Sequence, residues 1–150
     1  MSQANTSGTA GASGGATWLR GHCCCGTVQL RVEDTFAYAF FCHCSRCRRR
    51  TGAACAAIGG IELEKLQVSA GEEQVRRLGD VPGNDGYLAV CWECCSPLYS
   101  VVRERRYAHV PLGMLLDVPS RRPDHHIHVA SKAPWHEITD GLRQYDVYPA

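Results

Sequence analysis

The chain has 150 residues, enough for one domain of ordinary size with or without a tail. Sixteen Lys and Arg against 15 Asp and Glu leave a formal charge of +1, so the concentrated positive excess of a protein that coats nucleic acid is missing. With 45% hydrophobic residues the chain can fill a core, which excludes global disorder, and no run approaches the ~18–20 apolar residues of a membrane span.

In chain order, residues 1–16 are rich in Gly, Ser, Ala and Thr and contain neither Lys nor Arg. Such a segment cannot bury enough surface to offset its ordering entropy, so it is expected to be a flexible tail before a single domain over 17–150. It has neither the basic start and apolar stretch of a secretory signal nor the arginines of a transit peptide, which points to a reducing cytoplasm. From Trp18 the pattern is strand-like. Val28, Leu30 and Val32 alternate with Gln29 and Arg31, the period of two of a half-buried strand. Short strand-like runs follow at Tyr38–Phe41, Tyr87–Val90, Leu98–Val102 and Ile127–Val129, separated by Gly and Pro signals such as Gly59-Gly60 and Pro82-Gly83. Helical candidates are confined to Leu112–Leu116 and Thr139–Tyr145. The sequence therefore predicts a mainly β domain with few short helices.

Ten cysteines in so short a chain mean a disulfide framework or metal sites, and a reducing compartment favours metal. Seven of them cluster: Cys23-x-Cys25, Cys42-x-Cys44-x-x-Cys47 and Cys91-x-x-Cys94. Thiols one or two residues apart converge on one point across a tight turn, and zinc takes four such ligands in a tetrahedron. Joining the two pairs closes a four-cysteine site of structural type on Cys23, Cys25, Cys91 and Cys94, which contributes directly to folding. Cys42, Cys44 and Cys47 then hold a second ion with an open fourth position, the mark of a catalytic zinc. Spacing alone permits other partitions, such as the triplet recruiting a ligand from elsewhere. Seven thiolates and two divalent ions change the formal charge from +1 to −2, which weakens any nucleic-acid role further.

Three segments carry a family resemblance: Gly21-His22-Cys23-Cys24-Cys25-Gly26-x-Val28, Cys42-His43-Cys44-Ser45-Arg46-Cys47-Arg48-Arg49-Arg50-Thr51-Gly52, and Cys91-x-x-Cys94. With the closing stretch His126-Ile127-His128-Val129-Ala130-Ser131-Lys132-Ala133-Pro134-Trp135, they resemble the glutathione-dependent formaldehyde-activating family and the related zinc domain of centromere protein V. The resemblance spans about residues 18–148. It implies a β-tent fold of two β-layers stabilised by zinc, and the same division into a structural ion and a catalytic ion. It also implies carbon–sulfur lyase chemistry, with glutathione or another small thiol as partner and two zinc ions per chain as cofactors. The chain departs from the family where Cys95 follows the last knuckle cysteine in place of Gly. That position often needs positive φ, so either Cys95 accepts strain of ~1–2 kcal/mol or the turn is altered.

On this reading a thiol at the open position loses its proton near pH 7 and attacks the carbon of formaldehyde. Arg48, directly after a ligand, is the best candidate among Arg46, Arg48, Arg49 and Arg50 for binding a substrate carboxylate. His43, between two ligands, is expected to point away from the ion. His126 and His128 are expected on one strand face as hydrogen-bonded or exposed residues, Trp135 on the core, and Cys55 buried and inert. Cys24 and Cys95 have no assigned role. The competing class is a zinc-stabilised protein-binding module with two structural ions, which a fourth protein ligand at Cys42, Cys44 and Cys47 would favour. Neither a nucleic-acid partner nor a membrane is expected, and oligomeric state is not encoded legibly.

Overall fold

In the computed structural model, which describes residues 15–149, the strands in chain order are β1 (Trp18–His22), β2 (Gln29–Glu33), β3 (Tyr38–Cys42), β4 (Ala56–Glu62), β5 (Leu66–Ala70), β6 (Val75–Leu78), β7 (Tyr87–Cys91), β8 (Pro97–Val102), β9 (Tyr107–Pro111), β10 (His125–Ile127) and β11 (Arg143–Gln144). One helix, α1 (Ser45–Thr51), follows β3, and short 3-10 turns fill several connections. The expected tail over 1–16 falls almost wholly on residues 1–14, outside the described residues. Among the described residues no helix is long and apolar enough to cross a membrane.

The strands form two sheets, β1-β2-β5 and β11-β10-β3-β4-β9-β8-β7-β6. Alternation decides which side chains meet between them, because successive residues of a strand point to opposite faces. Val28 and Leu30 at the small sheet pack with Ala89, Cys91, Leu98, Tyr99 and Val101 of the large one. Leu19, Val32 and Phe36 pack with Ile61, Ala108 and Val110. The expected mainly β, two-layered fold is therefore observed.

The other face of the large sheet positions the site. A register row crosses it: Tyr38 pairs with Gly60, Gly60 with His109, His109 with Ser100, and Ser100 with Leu88. Helix α1 packs against this region, with Arg50 donating from Nη1 to Ser100 Oγ at 3.2 Å.

Four expectations are corrected. The strand expected at Ile127–Val129 lies at His125–Ile127 and ends there, because His128 turns left-handed (φ 56) and a 3-10 turn begins at Val129. The helical candidate at Leu112–Leu116 is a 3-10 turn over Leu112–Met114, too short for α-helical hydrogen bonding. The one at Thr139–Tyr145 contributes β11, since its backbone finds partners on β10 (Arg143 beside His125, Gln144 beside His126). Trp135 is 73% exposed, so the core does not take it.

Candidate metal centres

Helix α1 begins where the second cysteine cluster needs a turn. Cys44 is its N-cap, with β-region dihedrals, and its Sγ accepts from the Cys47 backbone N–H at 3.3 Å. One device thus caps the helix and brings the two thiols together. At the far end Gly52, at φ 66, closes the helix by donating its N–H to Arg48 O.

All ten cysteines are free thiols, and seven gather as the spacing suggested. The sulfurs of Cys23, Cys25, Cys91 and Cys94 all lie within 4.8 Å of one another, as do those of Cys42, Cys44 and Cys47. Among the described residues no fourth Cys, His, Asp or Glu joins the second group. A tetrahedral zinc with bonds near ~2.3 Å needs sulfurs ~3.8 Å apart. Cys25 Sγ lies 3.4 Å from Cys23 Sγ and 3.9 Å from Cys91 Sγ, so the first group fits that ion closely. Both groups can hold zinc.

The first group stitches the turn after β1 to the turn after β7. Cys23 and Cys91 are buried in the core, while Cys25 is exposed. Val28 N–H donates to Cys23 Sγ, and Cys94 Sγ lies 3.1 Å from Ser96 Oγ. Crowding splits these thiols electrostatically. Hydrogen bonding from Ser96 pulls Cys94 down to about 5, whereas burial pushes Cys91 up to about 12. In the second group the hydrogen bond between Cys42 and Cys47 pulls Cys47 down to about 6 and drives Cys42 well above the thiol range. Crowded thiols that share protons so unequally are the donor set that a divalent cation would equalise. Cys95 accepts the left-handed strain, at φ 59, and Cys24 N–H donates to Ser96 Oγ at 3.0 Å.

A cavity of about 600 Å³ opens beside Cys44 and Cys47. Arg46 and Arg50 of α1 line it, together with Ser100 and His109 of the register row and Asp85 at its rim. Arg48 is directed elsewhere through one atom: its Nε donates to His43 O at 3.4 Å. His109 was not singled out in the sequence. The alternation of β9, with Ala108 and Val110 inward, marks it as outward-facing, but only the pairing of β9 with β4 and β8 brings it to the cavity.

The family described as glutathione-dependent formaldehyde-activating enzyme matches residues 18–131. The chain belongs to that family. No curated protein matches it. A crystal structure of a Rhodobacter sphaeroides protein is similar, with a TM-score of 0.55 and 28% identity, over 68% of this chain and 92% of that one.

From His43, between two cysteines of the second cluster, this family member runs a polar chain whose partners are distant in sequence. His43 is fully buried and its Nε2 lies 2.8 Å from His126 Nδ1, while His126 Nε2 donates to the Asp140 carboxylate at 3.0 Å. His43 thus turns to β10 and stays out of the thiol cluster. Burial pulls it down to about 4, so it is neutral at pH 7. His126 is buried and His128 packs edge-on against Tyr148, so the two do not share a strand face. Cys55 is half-buried, and burial raises its pKa.

Proposed function

We propose that the chain is a zinc-dependent carbon–sulfur lyase resembling S-(hydroxymethyl)glutathione synthase, acting on an adduct between an aldehyde and glutathione or another small thiol. The observation that carries this reading is the three-cysteine cluster opening onto a cavity of about 600 Å³ lined by Arg46 and Arg50. Cys23, Cys25, Cys91 and Cys94 hold the structural ion; Cys42, Cys44 and Cys47 hold the catalytic one. When bound at the latter, zinc supplies an open coordination position that favours the deprotonated form of a thiol.

The chain's own residues bind and orient. Arg46 and Arg50 pair with substrate carboxylates through fork-shaped hydrogen bonds, Arg50 being steadied by Ser100. Arg48, which does not line this cavity, braces the start of α1 instead, its Nε holding the His43 carbonyl.

NMR magnetisation exchange between glutathione plus formaldehyde and their hydroxymethyl adduct tests the reading. Zinc-loaded protein should accelerate exchange over the uncatalysed rate. Arg46→Ala and Arg50→Ala should each raise KM for glutathione about tenfold with kcat little changed, as expected when a binding contact common to ground and transition states is lost. Exchange at the uncatalysed rate with both ions bound would refute the assignment.

A further inference from the structure

The cavity contains a polar group that ligand spacing and arginines do not account for. His109 lines it beside Cys47, in the same register row as Tyr38 and Gly60. Tyr38 Oη and His109 Nε2 are 3.0 Å apart. Glycine at position 60 makes the contact geometrically possible: a Cβ there would stand 2.0 Å from Tyr38 Cε2, inside the ring's own volume. Any other residue would push the ring off the sheet and away from His109.

The direction of this hydrogen bond follows from the surroundings. Burial raises the pKa of Tyr38, so its phenol keeps the proton, and a phenol is a far better donor than acceptor. Burial, with the positive charge of Arg103 second, lowers His109 to about 4, so its ring is a neutral imidazole. A neutral imidazole that accepts at Nε2 carries its proton on Nδ1. Among the described residues Nδ1 has no hydrogen-bond partner, so this N–H is free for a ligand of the cavity that His109 lines.

Arg103 is held over the Tyr38 and Tyr107 rings at a conformational cost. Its guanidinium sits 4.7 Å from the Tyr38 ring centre and 5.4 Å from that of Tyr107. It belongs to a run of three left-handed residues, Arg103, Glu104 and Arg105 (φ 54, 56 and 63). Such dihedrals cost non-glycine residues about 1–2 kcal/mol each. Asp85, on the cavity rim, anchors the run by accepting from the Glu104 and Arg105 backbone N–H groups, the first through its carboxylate and the second through its carbonyl.

We propose that His109 Nδ1–H is the catalytic hydrogen-bond donor to the carbonyl oxygen of a small aldehyde bound in the cavity, with Tyr38 and Arg103 as positioning residues. The inference rests on the lyase reading above. As the thiolate sulfur adds to the aldehyde carbon, its lone pair forms the C–S bond and the C=O π pair moves onto oxygen. His109 stabilises the charge gathering there. The proton the thiol released to solvent is then returned to that oxygen, giving the hydroxymethyl adduct. A neutral imidazole suits the task because it donates without introducing a buried positive charge.

The test uses the zinc-loaded full chain. Nitrogen-15 NMR of wild type should show His109 protonated on Nδ1 at neutral pH, and Tyr38→Phe should erase that preference. His109→Phe, which keeps ring volume without a donor, should lower kcat about 100-fold with KM for glutathione changed less than threefold, the size seen when one oxyanion donor is lost. His109→Asn, whose amide reaches the Nδ1 position, should recover at least about tenfold of that loss. Should the Phe variant fail to retain zinc, the tautomer measurement and the Asn variant still decide. An Nε2-protonated tautomer, or a Phe variant with wild-type kcat, overturns the inference and leaves the lyase reading standing. A wild type without turnover overturns both.

Discussion

At the scale of single residues, Cys95 carries backbone strain and His109 a burial-shifted titration. Cys95 holds a left-handed dihedral that glycine adopts without cost, while glycine also loses more entropy on folding. The balance predicts that Cys95→Gly raises stability by about 0.5–1 kcal/mol in urea denaturation with zinc content unchanged, and a loss of stability would contradict the strain argument. His109 offers a pH dependence. Its pKa is about 4 in the fold and near the ordinary 6.5 in the unfolded chain, so between those values the unfolded state binds more protons. Its contribution is complete above pH 6.5 and disappears as pH falls toward 4, up to ~3 kcal/mol. Thiolate protonation acts on wild type and variants alike. The stability difference between wild type and His109→Phe should therefore shift in favour of the variant between pH 7 and pH 4.5, and a pH-independent difference would contradict the burial argument.

At the scale of elements, the two cysteine groups sit in different mechanical settings. Cys23 and Cys91 are core residues that join the turn after β1 to the turn after β7, and so tie the small sheet to the large one. Cys44 caps one short helix on the outer face. Cys91→Ser should then cost about 3–5 kcal/mol or prevent folding, whereas Cys44→Ser should abolish turnover and leave circular dichroism and most of the melting temperature intact. Equal unfolding of both variants would remove the division into structural and open sites. Helix α1 shows why short elements resist prediction. Ser45–Thr51 has no apolar periodicity, only a serine, arginines and a threonine around Cys47, and it forms because Cys44 and Gly52 cap it and β4 supports it.

At the scale of the whole molecule, zinc ions bound at the two thiol clusters should leave in order. Titration with a chelator, followed by metal analysis and thermal melting, should show two zinc ions per chain. The ion on three thiols should be lost first with a small change in melting temperature, and the ion on four thiols second with a large one. A single ion, or simultaneous loss, would contradict the partition. Much of this was legible beforehand. Ligand pairs one or two residues apart converge by local geometry whatever the rest of the chain does, so Cys23/Cys25, Cys42/Cys44/Cys47 and Cys91/Cys94 declared themselves. Strands with clean alternation, such as β2, were legible because the solvent face and the core face demand different residues.

The amino-acid sequence by itself determined the candidate metal-binding clusters, the mainly β class and the family, because each rests on residue type and short-range spacing. Tertiary structure decided the rest. Strand order joined the two cysteine pairs into one site and left the triplet facing a cavity. Register placed Tyr38, Gly60, His109 and Ser100 in one row, although they come from four strands. Chain reversal brought His126 and Asp140 to His43. Contacts of that kind depend on which strands pair and in what register. Those are set by burial summed over both sheets, a quantity no local stretch of sequence contains.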